Sequence, residues 1–365
     1  VSDSWLPAPL FRVRRKGPAV QTQRRRLAVF MALALFALVG ASVLGLVVGS
    51  VHIAPSATLR YLWAELSGGV ITGADAPDYR IVVDSRLPRV LTSIVVGAGL
   101  STVGVIVQAV VRNALADPYI LGISSGASVG ATAVVLFGAL GGLGLYALPS
   151  AAFLGALLAT VIVFMLARTS SGLEPLRLVL MGTALGYGFS AVTTVLVFLA
   201  PAGDAARSVM FWLLGSLAAA SWHSVWLVGV VSVVGVVLAV AVARHLDALS
   251  MGDDVSASLG IDAGRFRLGL FVASAIIVGV IVSVCGAIGF VGLIMPHVTR
   301  LLVGADHRRV LVLCPLLGAL FVVVADIISR TLVPPYELPI GAITAAVGVP
   351  TFILLMRRRT RTVSP

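Results

Sequence analysis

Charge is what this sequence has least of. Across 365 residues only 11% are Asp, Glu, Lys or Arg, while 59% are hydrophobic. A soluble domain carries about 25% charged residues, so a water-soluble globule is excluded. Lysine is scarcer still: Lys16 stands alone, between Arg15 and Gly17. A phosphate-binding loop needs Gly-x-x-x-x-Gly-Lys followed by Ser or Thr, with the lysine reaching phosphate. No such loop can be written on this chain, which excludes a nucleotide site of that type. Cysteine is limited to Cys285 and Cys314, both in or beside apolar runs. A structural disulfide is not expected, and two cysteines cannot supply a zinc or iron–sulfur site alone. The five histidines (His52, His223, His245, His297 and His307) never pair at i, i+4, so no helical metal motif is present. The short alternating segments of a transmembrane β-barrel are also missing.

Long apolar runs fill the space these absences leave. Mean hydropathy is +1.08, and the runs repeatedly reach the ~20 residues that cross a bilayer. The expected fold is therefore all-α: a polytopic membrane protein of about ten transmembrane helices. Spans are expected near 27–50, 90–111, 120–137, 150–167, 178–199, 225–243, 268–286, 289–303, 310–328 and 340–356. The eighth is short and interrupted by Pro296. Residues 1–26 read as a basic cytoplasmic tail, 27–357 as the permeation domain, and 358–365 as a second cytoplasmic tail.

The net charge of +11 could suggest nucleic acid, but basic residues also collect on cytoplasmic loops of membrane proteins. Both termini and the turns at Arg112, Arg168/Arg177, Arg265/Arg267 and Arg308/Arg309 are basic. Ten spans place all of them on one side, so no nucleic-acid partner is expected and both termini are read as cytoplasmic. Arg80, Arg86 and Arg89 fall on the other side, which the charge rule does not explain.

One polar island breaks the apolar pattern, Met251 to Arg267, MGDDVSASLGIDAGRFR. Asp253 and Asp254 suit the first turn of a short helix, Asp254 to Leu259, because acids favour the positive end; Gly260 can end it. Such a segment is either an ordinary solvated loop or the place where a soluble partner meets the membrane domain. Arg86 and Arg89, flanking Leu87-Pro88, read either as snorkelling anchors or as a positive rim for an acidic outside partner. Asp326 and Arg330, four apart on one helix face, read either as a local pair at the end of a span or as part of a proton relay. A weak internal symmetry relates Arg86–Leu91 and its Gly-rich span to Arg265–Arg267 and the span that ends at Met295-Pro296-His297. Inverted repeats of this kind mark transporters.

Six motifs stand in order: R-L-P-R at 86–89, R-N-A-L-A-D-P-Y-I-L-G-I-S-S-G-A at 112–127, G-D-D-V-S-A-S-L-G at 252–260, G-A-I-G-F-V-G-L-I-M-P-H-V-T-R at 286–300, D-H-R-R at 306–309 and E-L-P-I-G at 337–341. Over residues 30–357 the chain resembles the FecCD-like permease subunits of type II ABC importers for iron chelates, haem and cobalamin. The resemblance implies a BtuC-like fold in the bacterial cytoplasmic (inner) membrane, paired as a homodimer or close heterodimer, with the pathway between the two copies lined mainly by spans five and ten. It implies two ATPase subunits inside, which carry the ATP and Mg, and a substrate-binding protein outside. No cofactor and no catalytic site are implied for this chain. By the resemblance, Gly252, Asp253, Asp254, Ala257, Leu259 and Gly260 couple to the ATPase; Arg86, Arg89 and Arg330 receive the binding protein; Asn113 and Leu115 help form the inner gate. Ala114 departs from the family, which usually has proline there. A ferric siderophore is the expected cargo, with haem or cobalamin as the alternative. An ion-coupled carrier or a passive channel would be the rival classes.

Overall fold

The computed structural model describes residues 18–49, 51–71, 73–169, 172–200 and 203–361. In chain order the helices are α1 (Pro18–Val47), α2 (Pro55–Ser67), α3 (Ala76–Arg80), α4 (Leu87–Val110), α5 (Ile123–Phe137), α6 (Ala147–Ala167), α7 (Pro175–Phe198), α8 (Gly203–Leu213), α9 (Trp222–Ala241), α10 (Ala243–Met251), α11 (Asp253–Ser258), α12 (Ala263–Cys285), α13 (Val291–Val303), α14 (His307–Thr331) and α15 (Ile340–Arg361). Between α6 and α7, β1 (Arg168–Thr169) pairs antiparallel with β2 (Gly172–Leu173). Among the described residues seven helical stretches are long and apolar enough to cross a membrane, and three shorter apolar helices, Ile123–Phe137, Val291–Val303 and Ile340–Leu355, bring the set to ten.

Several boundaries differ from the sequence reading. The second span does not start at Val90: α3, a π turn at Ile81–Arg86 and α4 run on as one stretch, Ala76–Val110. Residues 76–89 fall outside the expected spans, but the contacts of Arg86 and Arg89 with α1 and α14 hold the end of this stretch in helix. At both ends helix continues beyond the expected spans. Helix α1 begins at Pro18, so Arg24, Arg25 and Arg26 lie on its first turns, and α15 continues to Arg361. Residues 1–17, with Arg12, Arg14, Arg15 and Lys16, and residues 362–365 lie outside the described residues.

Helix α4 is the central post. Nearly all of it is buried, and it packs on α9, α12, α13 and α14. Glycine makes the approach possible. A Cβ at Gly97 would fall inside the Gly318 carbonyl of α14, and one at Gly104 inside the Gly292 carbonyl of α13. In hydrocarbon, where lipid competes equally for apolar surface, such close backbone packing is a main source of helix association. Gly104→Val is therefore expected to cost about 3 kcal/mol, the upper end of the usual overpacking penalty, because backbone cannot yield as a side chain can. Loss of the monodisperse peak in detergent, with a lowered melting midpoint, is the result to look for; a wild-type profile would refute the contact.

Two irregular stretches meet inside this bundle, Asp117–Gly122 before α5 and Gly286–Phe290 before α13. Irregular backbone within a membrane bundle must find partners in protein. The Tyr119 hydroxyl accepts from the Ile288 N–H at 3.0 Å and donates to the Ile288 carbonyl at 3.2 Å. Gln108 on α4 donates to the carbonyls of Ala116, Gly292 and Leu293 and accepts from Arg300 at 2.5 Å.

Candidate functional site

Two polar assemblies sit at opposite ends of the bundle. The first is built on α10 and α11. The spacing of Ala243, Leu246 and Leu249 buries one face of α10. Gly252, at φ 125°, then turns the chain sharply into α11, and Gly260, at φ 76°, ends it. Both are left-handed or extended-left conformations that a side chain resists. The helix expected at Asp254–Leu259 thus appears one residue earlier, as Asp253–Ser258. Its outward surface is apolar as well as acidic: Met251, Val255 and Leu259 are 69%, 38% and 64% exposed, and Asp254 and Ala257 are exposed beside them.

This knob is tied down from below. Ser256 is buried and its hydroxyl donates to the Gly252 carbonyl at 3.0 Å. Asp253 accepts from Arg267 at 2.8 Å and lies 3.2 Å from Arg112. The Arg267 hydrogen bond holds the Asp253 carboxyl below the usual carboxylate range, with the positive charges of Arg267 and Arg112 acting in the same direction against partial burial. On α10, Asp247 meets the ring of His307 at 2.6 Å and accepts from the His307 N–H at 3.2 Å, which fixes the start of α14.

The proposed gate turn lies against the same assembly. Arg112, at φ 50°, turns the chain out of α4. The Asn113 side chain accepts from the Leu115 N–H at 2.9 Å, an Asx turn that holds its shape without the proline missing at Ala114. Leu115 is 40% exposed. The structure therefore brings Asp253, the Asn113–Leu115 turn and Arg267 together. Sequence reasoning treated Arg267 as a basic flank and missed α10 altogether. The heptad-like burial of Ala243, Leu246 and Leu249 was the available signal for α10; nothing local marked Arg267.

At the other end the structure corrects a reading. Arg86, Arg89 and Arg330 do not form an exposed rim: they are 5%, 8% and 6% exposed. Arg86 donates to the carbonyls of Leu46 (2.8 Å) and Val47 (2.7 Å), and to that of Val51, closing the C-terminal end of α1. The end carbonyls of a helix lack intrahelical partners and carry its negative pole, so a guanidinium suits them. Arg89 donates to Asp326 at 2.8 Å and to Glu337 at 2.9 Å. Arg330 donates to the Gly45 carbonyl at 2.7 Å and lies 3.4 Å from Asp326. The three arginines are an internal clamp joining α1, α4, α14 and the turn before α15. Asp326 is its centre, so the local-pair reading of Asp326 and Arg330 was nearer than a relay. The early start of the second span is the cause, since it carries 86–89 into the bundle.

Helices α7 and α15 each leave an apolar face uncovered by this chain, with Leu180, Tyr187 and Val195 on one and Val347, Ile353 and Leu354 on the other. Among the described residues no group of three His, Cys, Asp or Glu side chains is arranged to hold a metal ion.

The family model described as the FecCD transport family matches residues 35–358. The iron(3+)-hydroxamate import system permease of Bacillus subtilis is 38% identical over 284 residues, covering 78% of this chain and 73% of that protein. The cobalamin import system permease of Halobacterium salinarum is 39% identical over 305 residues, covering 84% and 79%. Among solved structures, an inward-facing metal-chelate type ABC transporter superposes with a TM-score of 0.78 at 30% identity, covering 90% of this chain and 98% of that one.

Proposed function

This chain belongs to the FecCD transport family, and from that premise we propose that it is the permease subunit of an ABC importer that carries a ferric siderophore or related metal chelate across the bacterial cytoplasmic membrane. Two relatives of nearly equal identity are named for different cargoes, an iron hydroxamate and cobalamin. Metal chelate is the class they share, and ferric siderophore is the member we favour.

The observation that carries the mechanism is the α10–α11 knob. It presents exposed Met251, Val255 and Leu259 next to two acids, yet is anchored through Asp253 to the gate turn. A soluble ATPase can grip such a surface, and its ATP-driven displacement then reaches the pathway. ATP and Mg belong to two ATPase subunits on the cytoplasmic side, where both termini lie. The pathway forms between two copies of the permease, along the uncovered faces of α7 and α15. Asn113 and Leu115 contribute the inner closure. A substrate-binding protein delivers cargo to the opposite end. Its docking need not use Arg86, Arg89 or Arg330 as free cations, since each has partners within the chain. The chain performs no covalent chemistry; it is the moving wall.

An ion-coupled carrier would keep ionisable groups along its spans. The buried acid Asp326 is instead taken up by Arg89 and Arg330, which disfavours that class. Uptake by cells with and without the gene decides the matter, using labelled ferric siderophores, haem and cobalamin at limiting concentration, each with and without ATP depletion. ATP-dependent loss of a ferric siderophore alone is expected. Loss that follows an ion gradient and ignores ATP would overturn the importer reading.

A further inference from the structure

Among the described residues Arg267 is one of the most deeply buried charged side chains, 2% exposed at the start of α12. Its guanidinium reaches three segments that are far apart in sequence. Nε donates to the Val110 carbonyl at 3.2 Å, Nη1 to the Leu173 carbonyl at 3.0 Å and Nη2 to Asp253 at 2.8 Å. Val110 is the last residue of α4, three residues before Asn113 and the turn it opens. Leu173 ends β2, one residue before Glu174 and the start of α7. Asp253 opens α11, whose outer surface is the exposed knob.

We propose that Arg267 is the positioning residue that makes α11, the end of α4 and the β1–β2 hairpin move as one body, so that displacement of the knob is passed to the Asn113–Leu115 turn and to the start of α7. This rests on reading the chain as an ABC permease. The physical ground is the guanidinium itself. It is planar and always charged, and its donors form a rigid fork, so three acceptors bound to it keep a fixed mutual geometry. Two of the acceptors are backbone carbonyls, so the fork holds main chain rather than mobile side chains. The Val110 carbonyl is one that α4 leaves without a helical partner. The other ionic link at Asp253, to Arg112, is 36% and 49% exposed on its two sides and is screened by water. The Arg267 side chain is 3% exposed, and its bonds to the Val110 and Leu173 carbonyls are buried, so the links it makes to main chain are shielded from water even though Asp253 itself is half exposed.

The test uses the full complex with its ATPase subunits in lipid nanodiscs. One nitroxide is placed per permease, either on the hairpin (Arg168→Cys) or on α11 (Ser258→Cys); the native Cys285 and Cys314 are buried. Pulsed EPR measures the distance across the permease pair without nucleotide and after trapping with ATP and vanadate. In the parent complex both distances are expected to change. Arg267→Met should leave ATP hydrolysis and the α11 shift in place while the hairpin shift is lost. Arg267→Lys keeps the buried charge and can still pair with Asp253, but its single donor atom cannot span the other two acceptors. It is therefore expected to lose the hairpin shift too, whereas a purely charge-stabilising role would be rescued by lysine. If Arg267→Met does not fold, Arg267→Lys decides alone. A parent-sized hairpin shift in either folded variant overturns the proposal. Failure of the unsubstituted permease to retain an ATPase, or to move at all with ATP, overturns the importer reading instead.

Discussion

Asp326→Ala is expected to be the most damaging single substitution outside the glycine contacts, lowering stability by about 3–5 kcal/mol, the usual cost of removing one partner from a buried ion pair. The Asp326 side chain is 2% exposed and lies between Arg89 and Arg330. Without it, two buried guanidiniums are left with one carboxylate, Glu337, which is itself 36% exposed and, among the described residues, bonded to Arg89. The clamp joins α14 both to α4 and to α1, so its loss frees the end of the bundle rather than a single helix. Glu337→Gln is the matched control. A pair with one partner this exposed contributes about 0–1 kcal/mol, so that variant should melt near the parent temperature. Thermal unfolding in one detergent, read by intrinsic tryptophan fluorescence, separates the two. Equal midpoints for Asp326→Ala and the parent would show that the clamp is not structural and would reopen the reading of these arginines as free docking groups.

Leu259→Asp is expected to have the opposite profile, with a large functional loss and a fold left intact. Leu259 is 64% exposed, and surface substitutions of this kind change stability by about 0.5 kcal/mol or less. At a packed interface the same side chain would be a hot spot of about 2 kcal/mol or more. That corresponds to roughly thirtyfold weaker ATPase association, with a new charge adding to the loss. The variant should express and purify as the parent does, retain little ATPase through affinity purification, and show uptake at background. Asp254→Ala, at the rim of the same surface, should have a smaller effect, since rim charges contribute modestly to affinity. Parent-level ATPase retention by Leu259→Asp would remove the α10–α11 knob as the docking surface.

Both expectations depend on features of different legibility. The knob was readable because its signals are local. Two acids at a helix start, a glycine at each end and an interruption of the apolar pattern are all contained within nine residues, and the observed helix is offset from the expected one by a single position. The ten apolar helices were readable for the same reason, since each span satisfies its own backbone and declares itself by composition. The clamp was not readable. Arg89 finds Asp326 and Glu337 at separations of 237 and 248 residues, and no local pattern links them. Helix α10 was hidden for another reason: only Val242 separates it from α9, and no glycine, proline or capping side chain marks where the second helix starts.

By itself, then, the sequence determined the solvent this protein folds in, its set of ten apolar helices, the absence of a phosphate-binding loop and the position of the short polar helix where we propose that a soluble partner engages. These follow from composition and from patterns shorter than a helix. Only the tertiary structure decided what the arginines do. Arg86, Arg89, Arg267 and Arg330 look alike in sequence, as cations at the ends of apolar runs. Burial removes them from water, and a buried guanidinium must take whatever acceptors surround it. For three of them that is a clamp at one end of the bundle; for Arg267 it is the junction of three segments at the other. The acceptors come from remote parts of the chain, so their identity exists only once the helices have packed.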